Sequence, residues 1–319
     1  MAPHMPLVGI GDILAAREVI TGRLHRTPTA RTGSLGDRAG VRLLLKLEMF
    51  QKTGSFKPRG VLNRLRHLSP EEKRKGVITL SAGNHAQALA WGASQEGIAS
   101  TVVMPAKAPR SKIEAARGYG GDVVLTHGDL LGACQTIQKQ RDLVLIHPFD
   151  DPWIIAGQGT VGMEILEEVP NLDAVIVGVG GGGLISGVAA AVKAVRPLAS
   201  VFGVEPEGAS AMSRSLERGE PIRLERVETI ADGLAAPFAG RLTLAHVQEL
   251  VDGMVTVTDG QIAEAMGLIL ERCKVLAEPA GAASVAALLS RKLDALRGAT
   301  VVCILGGGNV DRDGMRTYL

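Results

Sequence analysis

Hydrophobic positions recur along the chain in two alternating periods. Segments with apolar residues every third or fourth position are each followed by a short, nearly continuous run of Val, Ile and Leu. The helix-period segments fall at 10–24, 58–68, 85–95, 111–119, 129–140, 155–168, 184–195, 259–272 and 282–292. The strand-like runs fall at 41–47, 76–81, 100–104, 122–125, 143–146, 174–179, 200–204 and 300–305. Arg26-Thr27-Pro28 stops the first helix, and Pro58 stands in the first turn of the second, where its missing N–H costs nothing. This alternation predicts an α/β fold of doubly wound, mostly parallel sheets with right-handed crossovers. No fixed-period repeat or low-complexity linker marks a domain boundary.

Composition refines this picture. At 319 residues the chain is long enough for two well-filled cores, and aromatics at 3% leave those cores to aliphatic side chains. The 40 glycines suit many tight strand-to-helix turns. A net charge of +2, with both signs interspersed, gives no basic stripe and points away from nucleic acid. Cys134, Cys273 and Cys303 are far apart, form neither a disulfide framework nor a metal cluster, and suggest a reducing, cytoplasmic setting. The first six residues lack the basic and apolar regions of a secretory signal. The uncharged run at 174–192 is long enough for a membrane span, but its four consecutive glycines read as a turn between a strand and a helix.

That turn is the strongest chemical signal. In Val177-Gly178-Val179-Gly180-Gly181-Gly182-Gly183-Leu184, glycines let several backbone N–H groups converge on one anion, and the next helix adds its positive end. A phosphate site is the reading; close helix–sheet packing is the plainer alternative. Gly178, Gly180 and Gly183 also satisfy G-x-G-x-x-G, with Glu205 about twenty residues on, so the dinucleotide fingerprint stays open at this point.

Thr53-Gly54-Ser55-Phe56-Lys57-Pro58-Arg59-Gly60 sets a lysine immediately before a helix, where positive partial charge favours the free amine. Alone, such a lysine could simply be solvated. Ser81-Ala82-Gly83-Asn84-His85, at another strand-to-helix junction, suits a carboxylate, or Ser81 and Asn84 merely cap the helix. Ala277-Glu278-Pro279-Ala280 and Leu305-Gly306-Gly307-Gly308-Asn309 complete the set, the latter closing the last strand. Asp150-Asp151 and Glu71-Glu72 read as solvated surface.

Together, and in this order, these motifs resemble the threonine/serine dehydratase family of fold type II pyridoxal-phosphate enzymes, related to serine racemase. The resemblance covers nearly the whole chain. It implies a tryptophan synthase β-like fold, with residues 1–52 and 150–319 in a large cofactor-binding domain, 53–149 in a small one, and the active site between them. It implies that Lys57 carries pyridoxal 5'-phosphate as a Schiff base, that Phe56 lies against the ring, and that Asn84 contacts the ring's 3'-oxygen. Gly180, Gly181, Gly182, Gly183 and Leu184 would hold the phosphate. Ser81, Ala82, Gly83, Asn84 and His85 would receive the substrate carboxylate. The family is usually homo-oligomeric, and a chain ending soon after Asp311 leaves no place for an appended regulatory domain.

Three positions depart from the pattern. Ala82 stands where relatives that racemise serine place a second serine, which favours dehydration. Gly306 stands where a serine, threonine or cysteine usually meets the pyridine nitrogen. Glu205 and the Ala209 carbonyl match the family's divalent-metal site, but its acidic ligand falls on Ala211, so the resemblance commits to no metal there. The resemblance implies elimination of water from L-threonine or L-serine to give a 2-oxo acid and ammonia. Another β-hydroxy amino acid, a β-replacement reaction or nicotinamide-dependent dehydrogenation are the alternatives.

Overall fold

The Val/Ile/Leu runs become the strands of two sheets in the computed structural model, which describes residues 7–318. Residues 1–6, read above as free of a secretory signal, lie outside the described residues. The strands are β1 (Thr29–Arg31), β2 (Arg42–Leu47), β3 (Val77–Leu80), β4 (Ser100–Pro105), β5 (Asp122–Thr126), β6 (Val144–Leu145), β7 (Ala174–Gly178), β8 (Ser200–Pro206), β9 (Gly253–Val257) and β10 (Thr300–Leu305). The helices are α1 (Ile10–Ile20), α2 (Gly33–Ala39), α3 (Pro58–Arg66), α4 (Pro70–Lys75), α5 (Asn84–Gln95), α6 (Arg110–Gly118) and α7 (Leu130–Arg141). They continue as α8 (Pro152–Glu168), α9 (Gly183–Val195), α10 (Ala211–Arg218), α11 (Arg241–Leu250), α12 (Asp259–Leu268), α13 (Pro279–Leu289) and α14 (Arg312–Tyr318).

The larger sheet has the order β1-β2-β10-β7-β8-β9, parallel except for the antiparallel pairing of β1 with β2. The smaller, β5-β4-β3-β6, is parallel throughout. Parallel strands are buried on both faces, which is why β7 and β10 read as unbroken apolar runs rather than alternating ones. One face of the larger sheet packs under α2, α12 and α13, through Leu35, Ile262, Met266 and the alanines of α13. The other packs under α8, α9 and α11, through Val161, Val188 and Leu244. Val61, Leu65, Leu89 and Ile154 join α3, α5 and α8 beside the smaller sheet.

Several elements escaped the periodicity. β1 is three residues long, and α2 and α10 are short, polar and glycine- or serine-bearing. The edge strand β9 is half-buried over most of its length, so it lacks the continuous apolar signature of its neighbours. The segment read as one helix over 259–272 is α-helical to Leu268 and then widens to a π-helical turn, Ile269–Cys273. The run at 174–192 divides into β7, the glycine turn and most of α9; among the described residues no helix is long and apolar enough to cross a membrane.

Candidate active site

The chemical motifs follow the C-terminal ends of parallel strands, where ligands gather in open α/β sheets. β2 leads into the Lys57 turn, β3 into Ser81, β6 into His147, β7 into the glycines and β10 into Gly306.

Lys57 is the N-cap residue of α3, with Pro58 following it. Its Nζ donates to the Pro148 carbonyl at 2.9 Å and lies 5.1 Å from the centre of the Phe56 ring. Burial disfavours the ammonium form and pulls the Lys57 pKa down from 10.5 to about 8, against the opposing pull of the Glu278 carboxylate. Phe56 is held from behind: its N–H donates to the Gly306 carbonyl at 3.0 Å, while Ser55 bridges to Gly307. A Cβ on Gly306 would stand 3.3 Å from the Phe56 ring and 4.0 Å from Leu184. Phe56, Leu184 and Gly306 therefore meet at one place, and Gly306 adds no side chain there.

The four glycines turn the chain from β7 into α9. Gly182, the N-cap, adopts φ +93°, a conformation that side-chain-bearing residues rarely take. Space is as restrictive: a Cβ would come 2.6 Å from Met212 at Gly182 and 2.2 Å from the Phe149 ring at Gly181. Thr243 Oγ1 holds the Gly181 carbonyl at 2.8 Å. The first amides of α9 have no partner within the helix, an arrangement that suits an anion. Phe149 connects it to Lys57, because its ring covers Gly181 while the carbonyl just before it takes the lysine amine.

At the third motif, α5 begins at Asn84 with Gly83 as N-cap and no side-chain cap, so the capping alternative does not hold. Ser81 Oγ instead accepts the Gly83 N–H at 3.2 Å. Asn84 is oriented at both ends: its Nδ2 donates to Glu278 at 2.6 Å and its Oδ1 accepts from Asn309 at 2.8 Å. Asn309 also donates to the Thr53 carbonyl at 2.7 Å. His85 is buried beneath, its Nε2 3.3 Å from the Ile146 carbonyl, and burial with the nearby Lys57 charge holds its pKa well below 6.5. His85 Nδ1, Ser55 Oγ and Thr53 Oγ1 are buried without hydrogen-bond partners. Such orphaned groups fit a site that takes a polar ligand.

Glu278, quoted in its motif but given no role there, is the principal residue that sequence reasoning missed. It is buried between Asn84 and Gly307, and burial raises its pKa to about 7 in spite of Lys112 and Asn84. The available signal was a carboxylate inside the apolar stretch Val275-Leu276-Ala277-Glu278-Pro279-Ala280.

A partly uncharged amine, an anion-ready glycine turn and an aromatic face opposite a glycine form the donor set required by a phosphorylated aldehyde on a planar ring. A family model described as "Pyridoxal-phosphate dependent enzyme" matches residues 20–307. The chain belongs to this family. Its cofactor is pyridoxal 5'-phosphate, and the residues present fit it. The chain is 45% identical to the L-threonine ammonia-lyase of Thermotoga maritima, over 96% of this chain and 76% of that protein. It is 42% identical to the catabolic L-threonine dehydratase of Escherichia coli K12, over 95% and 94%. The solved structure of maize serine racemase superposes with a TM-score of 0.94 at 39% identity, covering 98% of this chain and 97% of that one.

One reading of an acidic pair changes, and Glu205 finds its partners. Asp150 and Asp151 are not merely solvated surface. Asp150 accepts the backbone N–H groups of Arg241, Leu242 and Thr243, and Asp151 accepts those of Trp153 and Ile154 while pairing with Arg64 at 2.9 Å. Each carboxylate thus caps a helix, α11 and α8. Glu205, weighed as a ribose partner and with Ala209 as a metal position, is buried with both oxygens bound by the start of α10: Met212 N–H at 2.7 Å, Ser213 N–H at 2.8 Å and Ser213 Oγ at 2.5 Å. Among the described residues, no group of three or more His, Cys, Asp or Glu side chains is arranged to hold a metal ion.

Proposed function

We propose that this chain is a dehydratase that converts L-threonine, L-serine or both into a 2-oxo acid and ammonia. The observation that carries the reading is the Lys57 amine, pulled towards neutrality at the seam between Phe56, Pro148 and the glycine turn. The naming of relatives at 45% and 42% identity supports the substrate class. With a pKa of about 8, roughly a tenth of the amine is uncharged at pH 7, far more than for an exposed lysine.

In this reading Gly180, Gly181, Gly182, Gly183 and Leu184 hold the cofactor phosphate at the start of α9, Phe56 and Gly306 bound the ring, and Asn84 contacts its oxygen. Bound pyridoxal phosphate supplies the electron sink that makes an amino acid's α-carbon acidic. Residues 81–85 orient the substrate carboxylate through the turn and the N-terminus of α5. Lys57 removes the α-proton as general base. The α-proton is held on the Lys57 amine and the β-hydroxyl departs as water on taking up one proton, so that the net loss is one water. Hydrolysis of the enamine by way of its imine gives the 2-oxo acid and ammonia. Ala82 offers no titratable group as a second acid/base, which favours elimination over the racemisation named for the maize structure.

The reading places the site between a small domain, 53–149, and a large one, 1–52 with 150–319. In its support, the strands of the smaller sheet all come from 77–145, and those of the larger from both chain ends. Homo-oligomeric assembly and a cytoplasmic setting go with it, the latter supported by three free cysteines. The test is the visible absorption of the cofactor-loaded protein. Borohydride should fix the band to Lys57, Lys57→Ala should lack it, and L-threonine should yield 2-oxobutanoate. A fixed adduct on another residue, or normal turnover by Lys57→Ala, overturns the assignment.

A further inference from the structure

Residues 147–151, His-Pro-Phe-Asp-Asp, follow β6 and touch both Lys57 and the glycine turn of the proposed site. Pro148 offers its carbonyl to Lys57 at 2.9 Å. Phe149 lays its ring on Gly181 and its backbone against Gly183. Asp150 caps α11, whose Thr243 grips the Gly181 carbonyl, and Asp151 ties α8 to Arg64 of α3, the helix that Lys57 opens. What bends this strap is His147. Its Nδ1 accepts the Asp150 N–H at 2.8 Å and lies 3.3 Å from the Phe149 N–H, folding the segment back on its own first side chain.

Asn and Asp ordinarily perform this task, a side-chain acceptor taking backbone N–H groups two and three residues ahead. An imidazole can do so only with Nδ1 unprotonated, which assigns the proton of the neutral ring to Nε2. The setting favours the neutral ring: His147 stands edge-on to Phe149 at 4.6 Å between centroids and 6.5 Å from Phe238, and burial together with the Lys57 charge outweighs the opposing pull of Asp150 and Asp151.

We infer that His147 is a positioning residue of the cofactor site: its Nδ1 folds the 147–151 strap so that the Pro148 carbonyl meets the Lys57 amine while Phe149 covers the glycine turn. The inference rests on the reading of Lys57 as the cofactor lysine. His147 sets how far that amine stands from the phosphate-binding turn, acting through Pro148 and Phe149.

Two substitutions separate the acceptor from the ring. His147→Asn keeps a side-chain acceptor for the Phe149 and Asp150 amides and removes the imidazole. His147→Phe keeps an aromatic ring against Phe149 and Phe238 and removes the acceptor. The readouts are the dissociation constant for pyridoxal phosphate, followed by fluorescence, and the pH midpoint of the Lys57-dependent absorption band. His147→Asn should stay within about threefold of the parent protein, whereas His147→Phe should bind the cofactor about tenfold more weakly, the scale of losing hydrogen bonds of this kind. The band's midpoint should move in His147→Phe only, as Lys57 loses its fixed acceptor. Parent-like binding and midpoint in His147→Phe overturn the inference. Loss in His147→Asn with parent-like binding in His147→Phe overturns it, because the ring and not its acceptor is then what counts. Equal loss in both overturns it too, because an acceptor at position 147 then fails to rescue the site. Absence of a borohydride-fixed adduct on Lys57 in the parent protein would instead remove the reading beneath it.

Discussion

The Glu278 carboxylate accepts a hydrogen bond from the Asn84 side chain at 2.6 Å, joining the start of α13 to the start of α5 across 194 positions of sequence. The pair explains why a carboxylate survives in an otherwise apolar stretch. Asn84 needs an acceptor on one side and Asn309 as donor on the other to be held in a single orientation.

This relationship has a pH signature. Burial raises the folded-state pKa of Glu278 from 4.5 to about 7. A group raised in this way contributes stability that is fully present below the unfolded value and lost as pH rises through the folded one. The cofactor-free protein should therefore lose stability between about pH 4.5 and pH 7 relative to Glu278→Gln, which keeps an acceptor for Asn84 and carries no charge. Urea unfolding at pH 5 and pH 8 checks this. Parallel stabilities of the two proteins across that window would show that Glu278 titrates normally.

The glycine turn makes a prediction about coupling. A Cβ on Gly181 would lie 2.2 Å from the Phe149 ring, so Gly181→Ala must displace that ring or the loop. Such overpacking costs about 1–3 kcal/mol, and Phe149→Ala, which empties the same space, about 3–5 kcal/mol. In the double variant the alanine methyl enters the vacated space. Its cost should shrink by at least about 1 kcal/mol in a double-mutant cycle followed by urea unfolding. Strict additivity would place the strain of Gly181→Ala elsewhere.

How much of this was legible beforehand follows from what each residue contributes on its own. The buried parallel strands declared themselves through unbroken Val/Ile/Leu runs such as Val301 to Leu305, and the glycine turn through four residues that bear no side chain. Lys57 was legible only in company, since a lysine before a helix is ordinary until Phe56, Asn84 and Gly306 converge on it. His147, Asp150 and Glu278 were not legible as parts of the site. Their partners are the Phe149 and Asp150 amides at one turn, the start of α11 some 91 positions away, and Asn84 at 194, and only the first of these is local. A side chain that works by holding distant backbone leaves no periodic trace in sequence. The Asp150-Asp151 pair followed a short strand, where capping carboxylates and solvated ones look alike.

Arg59 belongs to the same turn as Lys57 and is wholly buried. It donates to Glu48 at 2.8 Å through both Nε and Nη2, and to Glu164 at 2.7 and 2.9 Å. Lys46 adds a second buried cation 2.8 Å from Glu164. Removing one partner from such a group leaves a charge uncompensated, so Arg59→Met should lose about 3–5 kcal/mol of unfolding free energy. Arg59→Lys keeps the charge but not the planar fork that serves two carboxylates, and should fall between. Equal stability of Arg59→Met and the parent in urea would mean that Glu48 and Glu164 take up protons or water at little cost.

Lys112, on α6, reaches Asp232 at 2.9 Å, and its Nζ lies 3.7 Å from where a Cβ on Gly83 would stand. The Asp232 side chain is 58% exposed, so the ion pair itself should matter little to folding, and Lys112→Ala should change unfolding free energy by less than about 1 kcal/mol. On the proposed reading, in which the 81–85 turn receives the substrate carboxylate, the position of Lys112 matters more, because a cation there attracts that group. At an effective dielectric near 20, losing one such charge at several ångströms corresponds to about 1 kcal/mol or more, or about a fivefold rise in KM for L-threonine. The kcat should hold, since the attraction is the same before and during proton removal. Lys112→Arg should restore most of the affinity, and added salt should raise the parent's KM more than that of Lys112→Ala. A KM unchanged in Lys112→Ala at low ionic strength would mean that Asp232 neutralises the lysine completely.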